Sequence, residues 1–286
     1  MAGTRRQRFL EFARDGGEII VGDALGVLRA VRDRTFRTCV TSPPYWGLRD
    51  YGIDGQIGAE EDLGEYLRNL RAIFAEVRRT LADDGTLWVN IGDAFTSGNR
   101  RWRATDRKNP ARAMSYRPPT PQGLKPKDLI GIPWRLAFAL QEDGWYLRSD
   151  IIWNKPNCQP ESVKDRPTRA HEYVFLFSKS ERYCYDQEAV MESVDGNGRL
   201  RNRRSVWSVN TEPYAEAHFA TFPPALVEPC VLAASSPGDL VLDPFFGSGT
   251  VGEVCQRHGR RFVGIELKPE YARLAEDRLR LPARRW

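Results

Sequence analysis

Two short stretches of this 286-residue chain concentrate side chains that could do chemistry. The first, Asp243-Pro244-Phe245-Phe246-Gly247-Ser248-Gly249-Thr250, follows a short apolar run and opens a helical pattern, so its backbone can approach a bound ligand closely. Ahead of the glycines, the Asp243 carboxylate and an aromatic ring suit a ligand that carries an ammonium and a positive sulfonium, whereas a pyrophosphate would be repelled. In the second stretch, Thr41 to Tyr45, the chain runs from an apolar segment into Pro43 and Pro44, which fix φ and remove two N–H donors. Such a stiff loop aims the Ser42 hydroxyl and the carbonyls of Ser42 and Pro43 at one point and leaves the Tyr45 ring as a flat face. Acceptors beside an aromatic platform describe a pocket for an amino-bearing base. Spacing alone leaves a nicotinamide-dependent enzyme open, because Gly247, Gly249 and Gly252 also satisfy G-x-G-x-x-G and Glu266 stands where a ribose-binding acid would lie. That reading gives Thr41 to Tyr45 no purpose.

Strands and helices must hold these loops. Short apolar runs rich in β-branched residues alternate with helical periodicity, which predicts an α/β domain with a mainly parallel sheet. Glu18 to Val21 and Thr38 to Thr41 read as strands, with a short helix over Ala24 to Val31 between them. Leu63, Tyr66, Leu67, Leu70, Ile73, Phe74, Val77 and Leu81 recur at three- and four-residue spacing and predict a long helix, with Gly85 as its C-terminal cap and Thr86 to Ile91 as the next strand. Trp134 to Asp143 is helical in pattern, and Tyr146 to Trp153 and Tyr173 to Phe177 read as buried antiparallel neighbours. A helix over Pro224 to Ala234, a strand over Leu240 to Leu242, a helix over Thr250 to His258, a strand over Arg261 to Ile265 and a helix over Pro269 to Leu279 complete the series.

Two basic segments interrupt it. Ser97 to Arg117 holds Arg100, Arg101, Arg103, Arg107, Lys108, Arg112 and Arg117 against Asp106 alone, with Trp102 and Tyr116 among them. Gly196 to Ser208 carries Arg199, Arg201, Arg203 and Arg204 beside Trp207 and no acid. Neither is expected in the core. As nucleic-acid contacts, the cations would neutralise phosphates while the aromatics stack or wedge; a solvated loop explains any single Arg as well. The net charge of +5, from 43 Lys and Arg against 38 acids, favours a polyanionic partner without demanding one. With 41% hydrophobic and 28% charged residues, one core and hence one domain over 1–286 is expected. The five cysteines form no CxxC pair and have no His spaced for zinc, so reduced thiols and no metal are expected. Met1 to Ile20 lacks a continuous apolar run, and no segment approaches the ~20 apolar residues of a membrane-spanning helix. A cytoplasmic protein without membrane contact is the expectation.

Together, Ser42 to Tyr45 and Phe245 to Gly249 resemble the two hallmark motifs of the DNA amino-methyltransferases: the catalytic (Asp/Asn/Ser)-Pro-Pro-(Tyr/Phe) tetrapeptide and the cofactor loop F-x-G-x-G. The resemblance covers nearly the whole chain in an order similar to the beta class, with the tetrapeptide early and the glycine loop late. It implies a Rossmann-like methyltransferase fold, circularly permuted, with a mostly parallel sheet, one antiparallel strand and helices on both faces. It also implies S-adenosyl-L-methionine as cofactor and a prokaryotic or phage origin. Gly22 to Leu25 looks like the segment that contacts the cofactor adenine, His171 to Lys179 like the strand before target recognition, and His218 to Pro223 like the segment completing the cofactor pocket. The cofactor set implied is Asp23, Ala24, Leu25, Thr41, Phe222, Pro223, Asp243 to Thr250, Glu266 and Leu267. Asp243 would meet the methionine amino group, Glu266 the ribose hydroxyls and Asp23 the adenine N6. A basic insertion over 96–128 and a small target-recognition region over 180–217 are expected, with Arg100, Arg101, Arg103, Arg107, Lys108, Arg199, Arg201, Arg203 and Arg204 as DNA contacts.

Exocyclic amines are poor nucleophiles because their lone pair is delocalised into the ring. Acceptors at Ser42 and Pro43 would localise it and align the nitrogen with the sulfonium methyl, with no covalent intermediate. The target nucleotide must leave the duplex, with Tyr45 stacking on it. Ser at the head of the tetrapeptide is associated in the family with cytosine N4 and Asp with adenine N6, so a site-specific cytosine-N4 enzyme is expected, with adenine N6 as the alternative. Double-stranded DNA is the expected partner, with a cognate restriction endonuclease possible and a monomer or homodimer equally open. The Pro-Cys pair of a cytosine-C5 enzyme is found only at Pro229-Cys230, inside a predicted helix, where core packing explains it. A DNA-binding module without activity would show salt-sensitive DNA affinity and no cofactor dependence. Asp93 and Glu172 could support the site, but a carboxylate at a strand end is more often a cap or surface charge, and both stay outside the catalytic set.

Overall fold

A computed structural model describes residues 12, 16–97, 118–194, 198–212 and 222–280. One eight-stranded sheet runs through them. Its strands are β1 (Gly17–Val21), β2 (Phe36–Thr41), β3 (Leu81–Ile91), β4 (Tyr146–Asn154), β5 (His171–Ser178), β8 (Val206–Ser208), β9 (Leu240–Asp243) and β10 (Arg261–Glu266); β6 (Glu192–Ser193) and β7 (Leu200–Arg201) form a separate small hairpin. The order across the sheet is β1-β10-β9-β2-β3-β5-β4-β8. β5 alone runs antiparallel to its neighbours β3 and β4, as the sequence leads one to expect; every other pairing in the sheet is parallel.

Alternation along the strands feeds two cores. Leu87, Val89 and Ile91 of β3 point to one face, where α1 (Ala24–Arg29), α2 (Leu63–Thr80) and α3 (Ile132–Glu142) cover them; Trp88 points to the other, beneath α4 (Pro224–Ala234), α5 (Thr250–Arg257) and α6 (Pro269–Leu279). The same period of two separates Leu240 and Leu242 from Val241 and Phe175 and Phe177 from Val174 and Leu176, which is why these strands are apolar throughout. α2 buries Leu63, Tyr66, Leu70, Ile73, Phe74 and Val77, the predicted stripe, and starts at Asp62, whose side chain accepts from Glu65 N at 2.9 Å.

Three expectations are corrected. α2 ends at Thr80 and passes straight into β3, so Gly85 is not its cap; a Cβ there would sit 2.9 Å from Ala82 O and 3.0 Å from Arg37 O, which is why glycine is needed. The segment around Arg199 to Ser208 is not wholly outside the core: Val206–Ser208 joins β4 as the sheet's edge strand, and Trp207 is buried. Trp207 packs in the second core with its Nε1 donating to Arg204 O at 2.7 Å, and so cannot stack on DNA bases. Cys230 lies buried in α4 with its thiol pushed well up by desolvation, in keeping with a packing role. Among the described residues no helix is long and apolar enough to cross a membrane.

Candidate active site at the ends of the parallel strands

Chain connections leave β9 towards β10 and β2 towards β3, in opposite directions across the sheet, so the crevice between β9 and β2 is the topological switch point where open α/β sheets bind ligands. Both motifs open from the carboxyl ends of these two neighbouring strands. Thr41 Oγ1, the last residue of β2, donates to Asp243 Oδ1, the last residue of β9, at 2.6 Å across 202 positions of sequence. Phe245 N donates to the same oxygen at 3.0 Å. Asp243 is only 1% exposed, and its Oδ2 has no hydrogen-bond partner among the described residues. Desolvation lifts its carboxyl to about 7, aided by the negative charge of Glu266 and opposed by the Thr41 and Phe245 hydrogen bonds. An orphaned, half-neutral carboxylate at a strand end fits a ligand that brings an ammonium.

The glycine loop is closed by its own strand end. Glu266 Oε2 accepts from Gly247 N at 2.8 Å and Oε1 from Lys268 N at 2.9 Å, while burial raises its carboxyl above the usual range. Gly247 and Gly249 take φ of 54° and 83°, left-handed values that favour glycine. Not every expected cofactor residue faces the loop's open side. Phe246 turns into the core and stacks on Phe262 with centroids 5.4 Å apart, so only its backbone can serve a ligand. The Ser248 and Thr250 side chains accept from Arg278 at 3.3 and 3.2 Å, which ties the start of α5 to α6. Pro244 is buried and Phe245 half-buried. Asp23 is exposed and caps α1, accepting from Gly26 N at 2.7 Å; Ala24 is core, and Leu25 and Leu267 are half-buried. Phe222 packs against the second core, and Pro223 is the N-cap of α4.

Ser42 to Tyr45 is braced from below. Tyr66 of α2 donates to Pro44 O at 2.8 Å, Gly47 N donates to Gly58 O at 2.8 Å, and buried Trp46 donates from Nε1 to Glu60 O at 2.8 Å. The working side chains meet residues from two other strands. Ser42 Oγ donates to Asn90 Oδ1 at 3.3 Å. The Tyr45 hydroxyl donates to Glu172 Oε2 at 2.7 Å, and Asn90 Nδ2 donates to the same oxygen at 3.2 Å and to Tyr173 O at 3.1 Å. Glu172 Oε1 in turn pairs with Lys155. Desolvation and the Glu172 charge hold the Tyr45 phenol well above its ordinary value, so it stays protonated and donating. A cleft beside Tyr45 is lined by Gly92, Phe95, Pro118 and Pro121, and the Arg166 guanidinium lies 3.8 Å from the Phe95 ring centroid.

Asn90 is a residue that the sequence did not single out, and Glu172 one that it left outside the catalytic set. Asn90 had a signal, as the one amide in the apolar run Leu87 to Ile91, and it is buried. Glu172 had none beyond its place at a strand end. Asp93, by contrast, is the cap it reads as: its Oδ1 accepts from Gly131 N at 2.9 Å and Ile132 N at 3.0 Å at the start of α3.

Of the expected DNA contacts, Arg100, Arg101, Arg103, Arg107 and Lys108 lie outside the described residues, as do Trp102 and Tyr116. The other four divide. Arg201 Nε is 2.8 Å from Glu192 Oε1, and Arg203 lies 4.7 Å over the Trp207 ring, its Nε buried; both are spent on structure. Arg199 is exposed, and the Arg204 side chain is 67% exposed, its Nε 3.9 Å from the same Glu192 Oε1.

Residues 36–277 match the DNA methylase family. The chain is 67% identical over 265 residues to the type II methyltransferase M.Cfr9I of Citrobacter freundii, covering 93% of this chain and 88% of that protein. It is 64% identical over 263 residues to the type II methyltransferase M.SmaI of Serratia marcescens, covering 92% and 90%. Among solved structures, the PvuII DNA methyltransferase (cytosine-N4-specific) superposes with a TM-score of 0.70 at 22% identity over 94% of this chain and 87% of that one, a likeness of fold. A Thermus thermophilus protein assigned as a DNA modification methylase, solved with S-adenosyl-L-methionine, gives 0.62 at 26% identity over 92% and 94%. With the tetrapeptide and the glycine loop joined at the switch point of such a sheet, the chain belongs to the DNA methylase family.

Proposed function

We propose that the chain transfers a methyl group from S-adenosyl-L-methionine to the exocyclic N4 of a cytosine flipped out of duplex DNA. The observation that carries this reading is the Thr41–Asp243 hydrogen bond, which joins the strand ends from which the tetrapeptide and the glycine loop open. S-adenosyl-L-methionine is the cofactor and supplies an electrophilic methyl group. Asp243 would hold its ammonium, the backbone of Gly247 to Gly249 would lie against its chain, and Glu266, which accepts a backbone N–H on each oxygen, and Asp23, which accepts one, would offer their remaining lone pairs to ribose and adenine.

Ser42 and Pro43 do the chemistry on the amine. Because the Ser42 proton is committed to Asn90 Oδ1, the hydroxyl's lone pairs are left to accept one amino hydrogen, and the Pro43 carbonyl takes the other. Two acceptors on one nitrogen draw its lone pair out of the ring and aim it at the methyl carbon. Tyr45 offers the stacking face for the extruded ring, a step that costs a few kcal/mol of unpairing. Ser42 at the head of the tetrapeptide favours cytosine; adenine presents a similar amino-imine edge and is the second reading. Segment 96–128, of which Thr96, Ser97, Pro118 and Pro121 line the cleft beside Tyr45, and region 180–217 are proposed as the DNA-facing parts. Its relatives' designation as type II methyltransferases supports a role beside a cognate endonuclease.

The test is to incubate the protein with unmethylated genomic DNA and S-adenosyl-L-methionine, digest to nucleosides and identify the product by mass spectrometry. N4-methylcytosine that falls by about a hundredfold with Ser42→Ala is expected. N6-methyladenine would overturn the base assignment and keep the mechanism; cofactor binding with no methylated nucleoside would overturn both.

A further inference from the structure

We infer that Glu172 is a positioning residue for the Tyr45 ring, set by Lys155 just past the end of the neighbouring strand β4; the inference rests on the function proposed above. Three donors converge on its two oxygens: the Tyr45 hydroxyl and Asn90 Nδ2 on Oε2, and the Lys155 ammonium on Oε1. The Lys155 and Glu172 side chains are only 17% and 16% exposed, and Lys155 lies 4.1 Å over the Trp153 ring. Ion pairs this dry contribute little net stability, because desolvation offsets the attraction.

Nor does the sheet need this one. β4 and β5 already pair residue by residue up to Trp153↔Glu172 and Asn154↔His171. What the pair does is fix a carboxylate whose other oxygen faces the proposed site. Asn90, which takes the Ser42 proton, donates to the same oxygen but is held besides by Tyr173 O at 3.1 Å, so the Ser42 contact does not hang on Glu172 and Tyr45 is the side chain that the carboxylate orients. The backbone makes room for this: a Cβ on Gly92 would fall 2.7 Å from Tyr45 Cε2 and 3.2 Å from Glu172 Oε1. Glycine there lets the ring and the carboxylate close on each other.

Glu172→Gln keeps the shape but leaves one acceptor oxygen for three donors. Tyr45→Phe keeps the stacking ring and removes the hydroxyl through which Glu172 acts. Single-turnover methyl transfer at saturating duplex DNA and cofactor, measured for the wild type, both single variants and the double variant, separates positioning from bulk structure. Glu172→Gln is expected to slow transfer about tenfold or more in the wild-type background and less than about twofold in the Tyr45→Phe background, with cofactor affinity unchanged. Equal losses in both backgrounds, or no loss in either, would overturn the inference. A wild-type chain that binds cofactor but methylates no DNA would instead sink the proposed function. The melting temperatures of the same four chains then decide the geometry, where losses that simply add would overturn the positioning contact and losses that overlap would support it.

Discussion

Burial lifts the Asp243 carboxyl to about 7 at the end of β9, although Thr41 and Phe245 N donate to its Oδ1. A carboxyl whose folded value lies above the unfolded value of about 3.9 is favoured in its neutral form by the fold. Its contribution to stability is therefore present below about pH 4 and lost as pH rises through about 7 in the ligand-free protein. A cationic cofactor needs the ionised form, so its affinity should rise from pH 6 to pH 8 and level off above. Calorimetry in two buffers of different ionisation enthalpy should register proton release near neutral pH. Asp243→Asn should flatten the pH dependence and weaken binding at pH 8 by about ten- to a hundredfold, the range of a hydrogen bond to a charge. Unchanged affinity in the variant would remove Asp243 from the cofactor site. Asp243 and Ser42 were legible in the sequence because their meaning lies in their neighbours along the chain. Asn90 and Glu172 were not, since their partners stand 48 and 127 positions away and only the sheet brings them together.

The elements were legible wherever a period could establish itself. The stripe from Leu63 to Val77 defines α2, and the unbroken apolar runs at β5 and β9 mark strands covered on both faces. A three-residue edge strand set among arginines has no period, so β8 and the burial of Trp207 escaped. Likewise Phe246 sits in a motif whose glycines draw attention to a ligand, while its ring belongs to the packing between α5 and β10. A Cβ on Gly264 of β10 would lie 2.2 Å from Phe246 Cγ, and one on Gly252 of α5 would lie 2.8 Å from Phe246 Cζ. The Phe246 ring is thus the spacer that sets how closely the start of α5 approaches the strand, and with it the pose of the glycine loop. Gly264→Ala should cost about 3 kcal/mol or more, since the ring cannot move into a filled core. Thermal unfolding should show the loss, and cofactor affinity should fall with it. A variant as stable as the wild type would mean that the loop's pose does not depend on this packing.

Across the whole molecule, charge is divided between holding the fold and facing outward. Arg278 bonds Ser248 and Thr250, Arg79 bonds the carbonyls of Leu28 and Val31, and Arg201 pairs with Glu192, so these guanidiniums are spent within the protein itself. Arg199 is exposed, and Arg204, just ahead of β8, is 67% exposed with its Nε 3.9 Å from Glu192 Oε1. Exposed arginines that contact phosphate each add about 0.9 to the slope of log affinity against log salt. Arg199→Ala and Arg204→Ala should therefore each weaken DNA binding and lower that slope by about one, with the melting temperature unchanged. Arg203→Ala should do the reverse: its guanidinium covers the buried Trp207, so its loss should lower the melting temperature and leave the salt slope nearly intact. Titrating a labelled duplex at several salt concentrations, beside melting curves of the three variants, tells the two classes apart. A fall in slope with Arg203→Ala equal to that with Arg204→Ala would mean that its stacking on Trp207 gives way to phosphate on binding, and that the segment around β8 rearranges when DNA arrives.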